Sequence, residues 1–189
     1  DFGEKYLVQG IVRRDGSSRF GSNNKYGYFP SGSIGWVASK EGFWPTNKVV
    51  NFLKIRGSYG VTGNDNIGDF NYVSRVDGGR NYTFGDTYTF GNSPAAIANP
   101  DLKWEQTSQT DIGFDAVIYR DFTLGFDWYK KKTTGMLLGI AVPLYVGVGG
   151  PTGNVATMNN TGYELELGYR KTISGVKIDV KANVSHLKN

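Results

Sequence analysis

The chain has no cysteine, a single histidine, two methionines and six prolines among its 189 residues. Without cysteine there is no thiolate nucleophile and no disulfide framework. With His186 as the lone histidine, neither a histidine-based metal site nor a catalytic dyad is expected within the chain, and no cofactor is expected. The serines have no evident base to activate them. No run of about 18 apolar residues occurs, so no transmembrane helix is available. Concentrated positive charge is missing too. The formal net charge is +4, and the basic residues are scattered or sit at strand ends, so no nucleic-acid partner is expected.

What the chain has in quantity is glycine (27), tyrosine (12) and phenylalanine (11), with four tryptophans. Apolar and polar side chains alternate along Tyr6–Arg14, Tyr26–Val37, Phe52–Thr62, Trp104–Tyr119, Phe122–Lys132, Thr161–Arg170 and Val176–His186. No segment has a convincing helical period. In the last strand Val176, Ile178, Val180, Ala182 and Val184 share one face, while Lys177, Asp179, Lys181, Asn183 and Ser185 take the other. Leu53, Ile55, Gly57, Tyr59 and Val61 repeat the pattern against Lys54, Arg56 and Ser58, and Tyr163, Leu165, Leu167 and Tyr169 against Glu164, Glu166 and Arg170. Most of these segments reach the roughly 9–11 residues that a tilted membrane strand needs. A lysine or arginine at a bilayer midplane costs roughly 2–4 kcal/mol, so the charge-free face is the one expected to meet lipid.

Alternation alone also fits a soluble sandwich. Two further features favour a transmembrane β-barrel. The connections alternate between long and short: Gly63–Lys103 is long and polar, whereas Arg120-Asp121 is minimal, as in barrels with long extracellular loops and short periplasmic turns. The second connection, Ala38–Asn51, is longer than that rule asks. The aromatics also sort by height on the apolar face. Tyr26, Tyr28, Tyr59, Trp104, Trp128 and Tyr163 fall toward the long loops, and Tyr6, Trp36, Phe122 and Tyr169 toward the short turns. Tyr and Trp favour membrane–water interfaces, so these levels predict two girdles. Tyr119 and Tyr129 lie on the other parity. The expected architecture is an all-β, antiparallel barrel-wall segment of about seven strands.

Several blocks together resemble the barrel of SusC/RagA-type TonB-dependent transporters. They are Arg14-Asp-Gly-Ser-Ser-Arg-Phe-Gly21, Phe29-Pro-Ser-Gly-Ser-Ile-Gly-Trp36, Leu53-Lys-Ile-Arg-Gly-Ser-Tyr-Gly-Val-Thr-Gly-Asn64, Pro100-Asp-Leu-Lys-Trp-Glu105, Trp128-Tyr-Lys-Lys-Lys-Thr133 and Asn160-Thr-Gly-Tyr-Glu164. The resemblance implies a barrel of about 22 strands in a Gram-negative outer membrane, with a plug inside it. It also implies energy delivered by TonB through that plug, a SusD-like surface lipoprotein, and glycans or peptides as cargo. Residues 1–189 are expected to be a piece of such a barrel, with the plug and the barrel C-terminus lying outside them.

The candidate contacts follow from these placements. Gly63–Lys103 carries Phe70, Tyr72, Tyr82, Phe84, Tyr88 and Phe90 among amides, hydroxyls and carboxylates, a composition suited to sugar or peptide substrate or to the lipoprotein. Within it, Tyr82–Phe90 reads as a hairpin about Gly85-Asp86. Lys130-Lys131-Lys132 reads as a solvated strand end or as a contact for lipopolysaccharide phosphates. Glu164 and Glu166 lie about 6.5–7 Å apart along a strand, a spacing used by inverting glycosidases. No third feature makes a cleft of them, so with Asp111, Asp115 and Asp127 they read as polar lumen wall. Gly147–Gly153 lacks the spacing and helix of a phosphate cradle and reads as a mobile loop. The reading is a non-enzymatic importer. The alternatives are a passive channel or adhesin barrel, or a soluble carbohydrate-binding sandwich.

Overall fold

A chain whose side chains alternate apolar and charged can bury or expose one whole face only by pairing strand against strand in register. The computed structural model, which describes residues 2–45 and 49–189, does so. Its strands are β1 (Tyr6–Gly16), β2 (Tyr26–Trp36), β3 (Val50–Asn64), β4 (Val76–Asp77), β5 (Tyr82–Phe84), β6 (Thr87–Thr89), β7 (Ser93–Pro94), β8 (Glu105–Ile118), β9 (Phe122–Gly139), β10 (Thr152–Ile173) and β11 (Val176–Lys188). The seven long strands form one sheet in the order β1-β2-β3-β8-β9-β10-β11, each antiparallel to its neighbours. The other sheets among the described residues are two-stranded ribbons, β4-β7 and β5-β6. Among the described residues no second layer covers the large sheet, as a sandwich would require. Helical structure in the described residues is limited to the 3-10 turns Ala38–Lys40 and Leu144–Val146.

The registers line up the parities predicted from sequence. Tyr6, Trp36, Ile55, Phe114, Phe126, Leu165 and Val184 form one continuous row across the sheet. On the opposite face, Arg56, Gly113, Asp127, Glu164 and Ser185 form another. The apolar face is open: Val8 is 73% exposed and Ile34 66%.

The tight turns use backbone that permits them. Ser174 and Gly175, both at positive φ, are the two-residue turn between Ile173 and Val176, while Tyr119, Arg120 and Asp121 make a three-residue turn between Ile118 and Phe122 whose first two residues have positive φ. Tyr119 breaks the aromatic parity because it belongs to a turn. The longer connection after β2 is folded onto the sheet. Glu41 accepts from Tyr6 and Trp36, and Trp44 donates to the carbonyl of Val50. Residues Thr46–Lys48 of that connection lie outside the described residues.

The main departure from the sequence reading is at the long-loop end. β9 continues to Gly139 and β10 begins at Thr152, well beyond the expected Lys132 and Thr161. The two remain paired up to Thr152 and Gly139, with register shifts around Asn154 and Ala156. The stretch read as a mobile glycine loop is accordingly hydrogen-bonded. Gly149 N–H donates to Ala95 O and its carbonyl accepts from Ile97, each at 3.0 Å, while Thr152 and Gly153 already belong to β10.

Candidate functional site

The segment entering β8 organises the long-loop end. Asn99 donates from its side chain to Thr152 O (2.8 Å), and Asp101 O accepts from Asn24 (3.2 Å). Leu102 is fully buried and packs with Phe20 and Ile67, with Tyr72, Trp104 and Leu137 around them. Lys103 exchanges two bonds with the Asn154 side chain, donating N–H to Oδ1 (3.0 Å) and accepting from Nδ2 (2.7 Å). The same Nδ2 reaches Gly135 O at 2.8 Å, where β9 bends through a positive φ. Glu105 accepts from Asn64 on β3 and from Leu137 N–H on β9. One short segment thus joins the loop after β1, the end of β3, and the upper halves of β9 and β10.

Trp104, expected in the upper aromatic girdle, is drawn into this cluster. Its ring lies 5.2 Å from Phe20 and 5.4 Å from Phe29. Its Nε1–H is buried with no acceptor among the described residues. The β2–β3 pairing stops at Ser31 and Gly60, and the Phe29 ring occupies the space above it, against Gly27 and Gly63. Of the other expected girdle residues, Tyr26, Tyr28, Tyr59, Trp128 and Tyr163 are exposed on the apolar face, while Trp36 and Tyr169 are half-buried. Arg14 stacks 4.1 Å above the ring of Tyr26.

From this platform rises a two-stranded arm. β4 pairs with β7 and, farther out, β5 with β6. Between them Arg80 N–H bonds to Gly91 O, and Asn81 bonds to the Tyr88 hydroxyl (2.7 Å). The tip is the two-residue turn Gly85-Asp86, with Gly85 in the left-handed region. Four of the six predicted contact aromatics gather here as two edge-to-face pairs, Tyr82–Phe84 (4.9 Å) and Tyr88–Phe90 (5.3 Å). All four stay exposed, Phe90 at 80%. Phe70 is exposed elsewhere, and Tyr72 packs against the platform core.

On the charged face, Arg56 gathers the carboxylates that the sequence marked singly. Its Nε donates to Asp115 Oδ2 (3.1 Å) and its Nη2 to Asp127 Oδ2 (2.7 Å), with Asp111 3.7 Å from Nη1. Asp127 is two strands away, and the reach is possible because the intervening residue on β8 is Gly113. A Cβ there would run into the Asp127 carboxylate and the Phe126 carbonyl. Glu164 pairs in register with Asp127, and Glu166 lies 3.9 Å from Lys181. By sequence alone Arg56 is only one charge on a polar parity. The glycine directly opposite it was the available clue.

A seven-stranded meander with one face uncharged through its middle, minimal turns at one end and an anchored loop assembly at the other is a piece of barrel wall. The family model described as TonB dependent receptor-like, beta-barrel, matches residues 1–188. The chain belongs to that family. TonB-dependent receptor barrels are outer-membrane structures, which places the charge-free face toward lipid and the charged face toward the lumen.

Similarity to individual members runs the length of the chain. A TonB-dependent receptor of Formosa agariphila is 36% identical over 168 residues, 88% of this chain and 16% of that protein. The TonB-dependent receptor SusC of Bacteroides thetaiotaomicron is 34% identical over 176 residues, covering 90% and 17%. Among solved structures, the RagAB peptide importer in the open-open state matches with a TM-score of 0.87 at 30% identity, over all of this chain and 20% of that one. Its closed-closed state gives 0.84 at 31%, over 97% of this chain. The chain therefore spans about a fifth or less of these TonB-dependent receptors.

Proposed function

We propose that this chain is a sector of an outer-membrane active importer for glycans or peptides. The observation that carries the reading is the division of labour across one sheet. Apolar rows run uncharged between aromatic levels on one face, charge concentrates on the other, and exposed aromatics are carried above on an anchored arm. Family membership supports the same reading, as does the likeness to SusC and to the RagAB peptide importer. The sector's work is to line a lumen and present loops, so the reading is transport and not covalent catalysis.

In this reading Tyr26, Tyr28, Trp36, Tyr59, Trp128, Tyr163 and Tyr169 lie at the membrane interfaces, with Trp104 just above. Tyr82, Phe84, Tyr88 and Phe90 meet substrate or a SusD-like surface lipoprotein, because aromatic rings stack on sugar faces and on peptide side chains. TonB acts through a plug outside residues 1–189, and outer-membrane lipid and lipopolysaccharide surround the wall. The test uses the full-length protein in its host. Deletion should abolish uptake of one labelled oligosaccharide or peptide, and restoration of uptake should require TonB. Recovery of the protein in the soluble periplasmic fraction would sink the proposal.

A further inference from the structure

The lipid-facing surface changes character in a single step at its upper edge. The row Ile112, Trp128, Tyr163 and His186 is followed, two residues nearer the loops, by Thr110, Lys130, Thr161 and Lys188. Above that come Ser108, Lys132 and Asn159. Lys130, Lys132 and Lys188 therefore project outward directly above the aromatic level, while Lys131 between the first two points to the lumen side. Adjacent strands lie about 4.7–4.9 Å apart and alternate residues about 6.5–7 Å apart. The three ammonium groups thus spring from one patch on the order of 10 Å across, interspersed with hydroxyl and amide groups.

All three lysines are exposed, and none forms an ion pair among the described residues. The contrast with the opposite edge is informative. There the outward-facing cation, Lys171, is satisfied by Asp121 at 3.0 Å. Between the two levels the outward positions of β8–β11 carry no carboxylate, lysine or arginine, and the one imidazole there, His186, lies 5.3 Å from the ring of Tyr163. On these four strands the outward-facing cations without an ion pair thus sit in two adjacent rows, where lipid headgroups begin, and the described residues supply no counter-charge.

We propose that Lys130, Lys132 and Lys188 form a binding site for the phosphorylated glucosamine head of an outer-leaflet saccharolipid. Ammonium groups hold its phosphates as point charges. Thr110, Thr161, Ser108 and Asn159 supply hydrogen bonds matched to sugar hydroxyls and amide groups, which a simple glycerophospholipid head lacks. The inference rests on the membrane placement proposed above.

The test is made on the full-length protein purified in detergent, with native mass spectrometry and titration of purified bisphosphorylated lipid A. The K130Q/K132Q/K188Q variant should bind about 100-fold more weakly, whereas K131Q should differ by less than about twofold. Dephosphorylated lipid A should bind the parent protein as weakly as the bisphosphorylated form binds the triple variant. Equal binding by parent and triple variant, equal loss in K131Q, or equal affinity for phosphatidylglycerol would each overturn the proposal. Heat-modifiable gel mobility checks that the variants fold. Uptake by the triple variant reports on the importer reading separately, since that reading fails only if the parent protein imports nothing.

Discussion

The Tyr6 hydroxyl donates to Glu41 Oε1 at 2.6 Å across 35 positions of sequence, and Trp36 Nε1–H donates to the same oxygen at 3.2 Å. Lys5 approaches the other oxygen at 3.3 Å. One carboxylate from the β2–β3 connection thus ties two aromatics of the short-turn end together and holds that connection against the wall.

These bonds favour the ionised form. The hydrogen bond from Tyr6, then that from Trp36, holds the Glu41 carboxyl below its usual value of 4.5, outweighing the opposing effect of desolvation. Because the folded-state value is the lower one, the stabilisation is complete above the unfolded value and disappears as pH falls through the folded one. Glu41→Gln should therefore lower the urea midpoint of the full-length protein in liposomes at pH 7, and the gap to the parent should close below about pH 4. A gap independent of pH would refute the assignment.

Gly113 is required as an absence. Gly113→Ala should push Asp127 away from Arg56 and cost about 1–3 kcal/mol, with the lower part of that range expected because Arg56 remains about one-third exposed. Gly57→Ala is the control, since a Cβ there meets neighbours only at ordinary contact distance. Thermal unfolding of the two variants in the same detergent should separate them.

Asn154→Ala removes three hydrogen bonds that join β10 to Lys103 and to the bend at Gly135. The buried part of that network is worth about 1–3 kcal/mol locally. The loops should become sensitive to protease on intact cells, while the membrane-level strands keep their resistance to heat in SDS.

Replacing Tyr82, Phe84, Tyr88 and Phe90 together by alanine should weaken capture of substrate or lipoprotein by at least about tenfold, in keeping with stacking contacts of roughly 0.5–1.5 kcal/mol each. The melting temperature should be unchanged, because these rings are exposed and pack chiefly on each other. Tyr72→Ala should do the reverse, loosening the platform with Phe20, Ile67 and Leu102.

How much of this was legible in the sequence depends on height. Below Tyr59, Trp128 and Tyr163, lipid imposes a charge-free parity, and the predicted strands and faces match the structure, while the turn bounds shift: Tyr119 joins Arg120 and Asp121, and β10 runs past Arg170 to Ile173, leaving Ser174 and Gly175 as the last turn. Above that level no solvent penalty enforces alternation. Thr133–Gly139 and Asn154–Asn160 mix threonine, glycine, asparagine and apolar residues on both faces, so alternation there gives no sign of the upward continuation of β9 and β10. Trp104 shows the same limit. It stands one residue before β8, and whether an indole at a strand mouth faces lipid or folds over Phe20 and Phe29 depends on loop packing that local pattern does not encode. The hairpin at Gly85-Asp86 was legible because turn chemistry is local.

The gap at Gly113 also bears on how the wall finds its alignment. Sliding one strand by a single residue turns every apolar side chain to the wrong face and is rejected by the membrane. Sliding by two keeps all faces correct, so the hydrophobic pattern is blind to it. In this wall such a slip of β8 against β9 would set Asp111 or Asp115 directly opposite Asp127, carboxylate facing carboxylate, and would strand the guanidinium of Arg56 away from its two-pronged contact. A missing side chain and one arginine therefore act as a proofreader of β-strand register, catching the one class of error that lipid cannot detect.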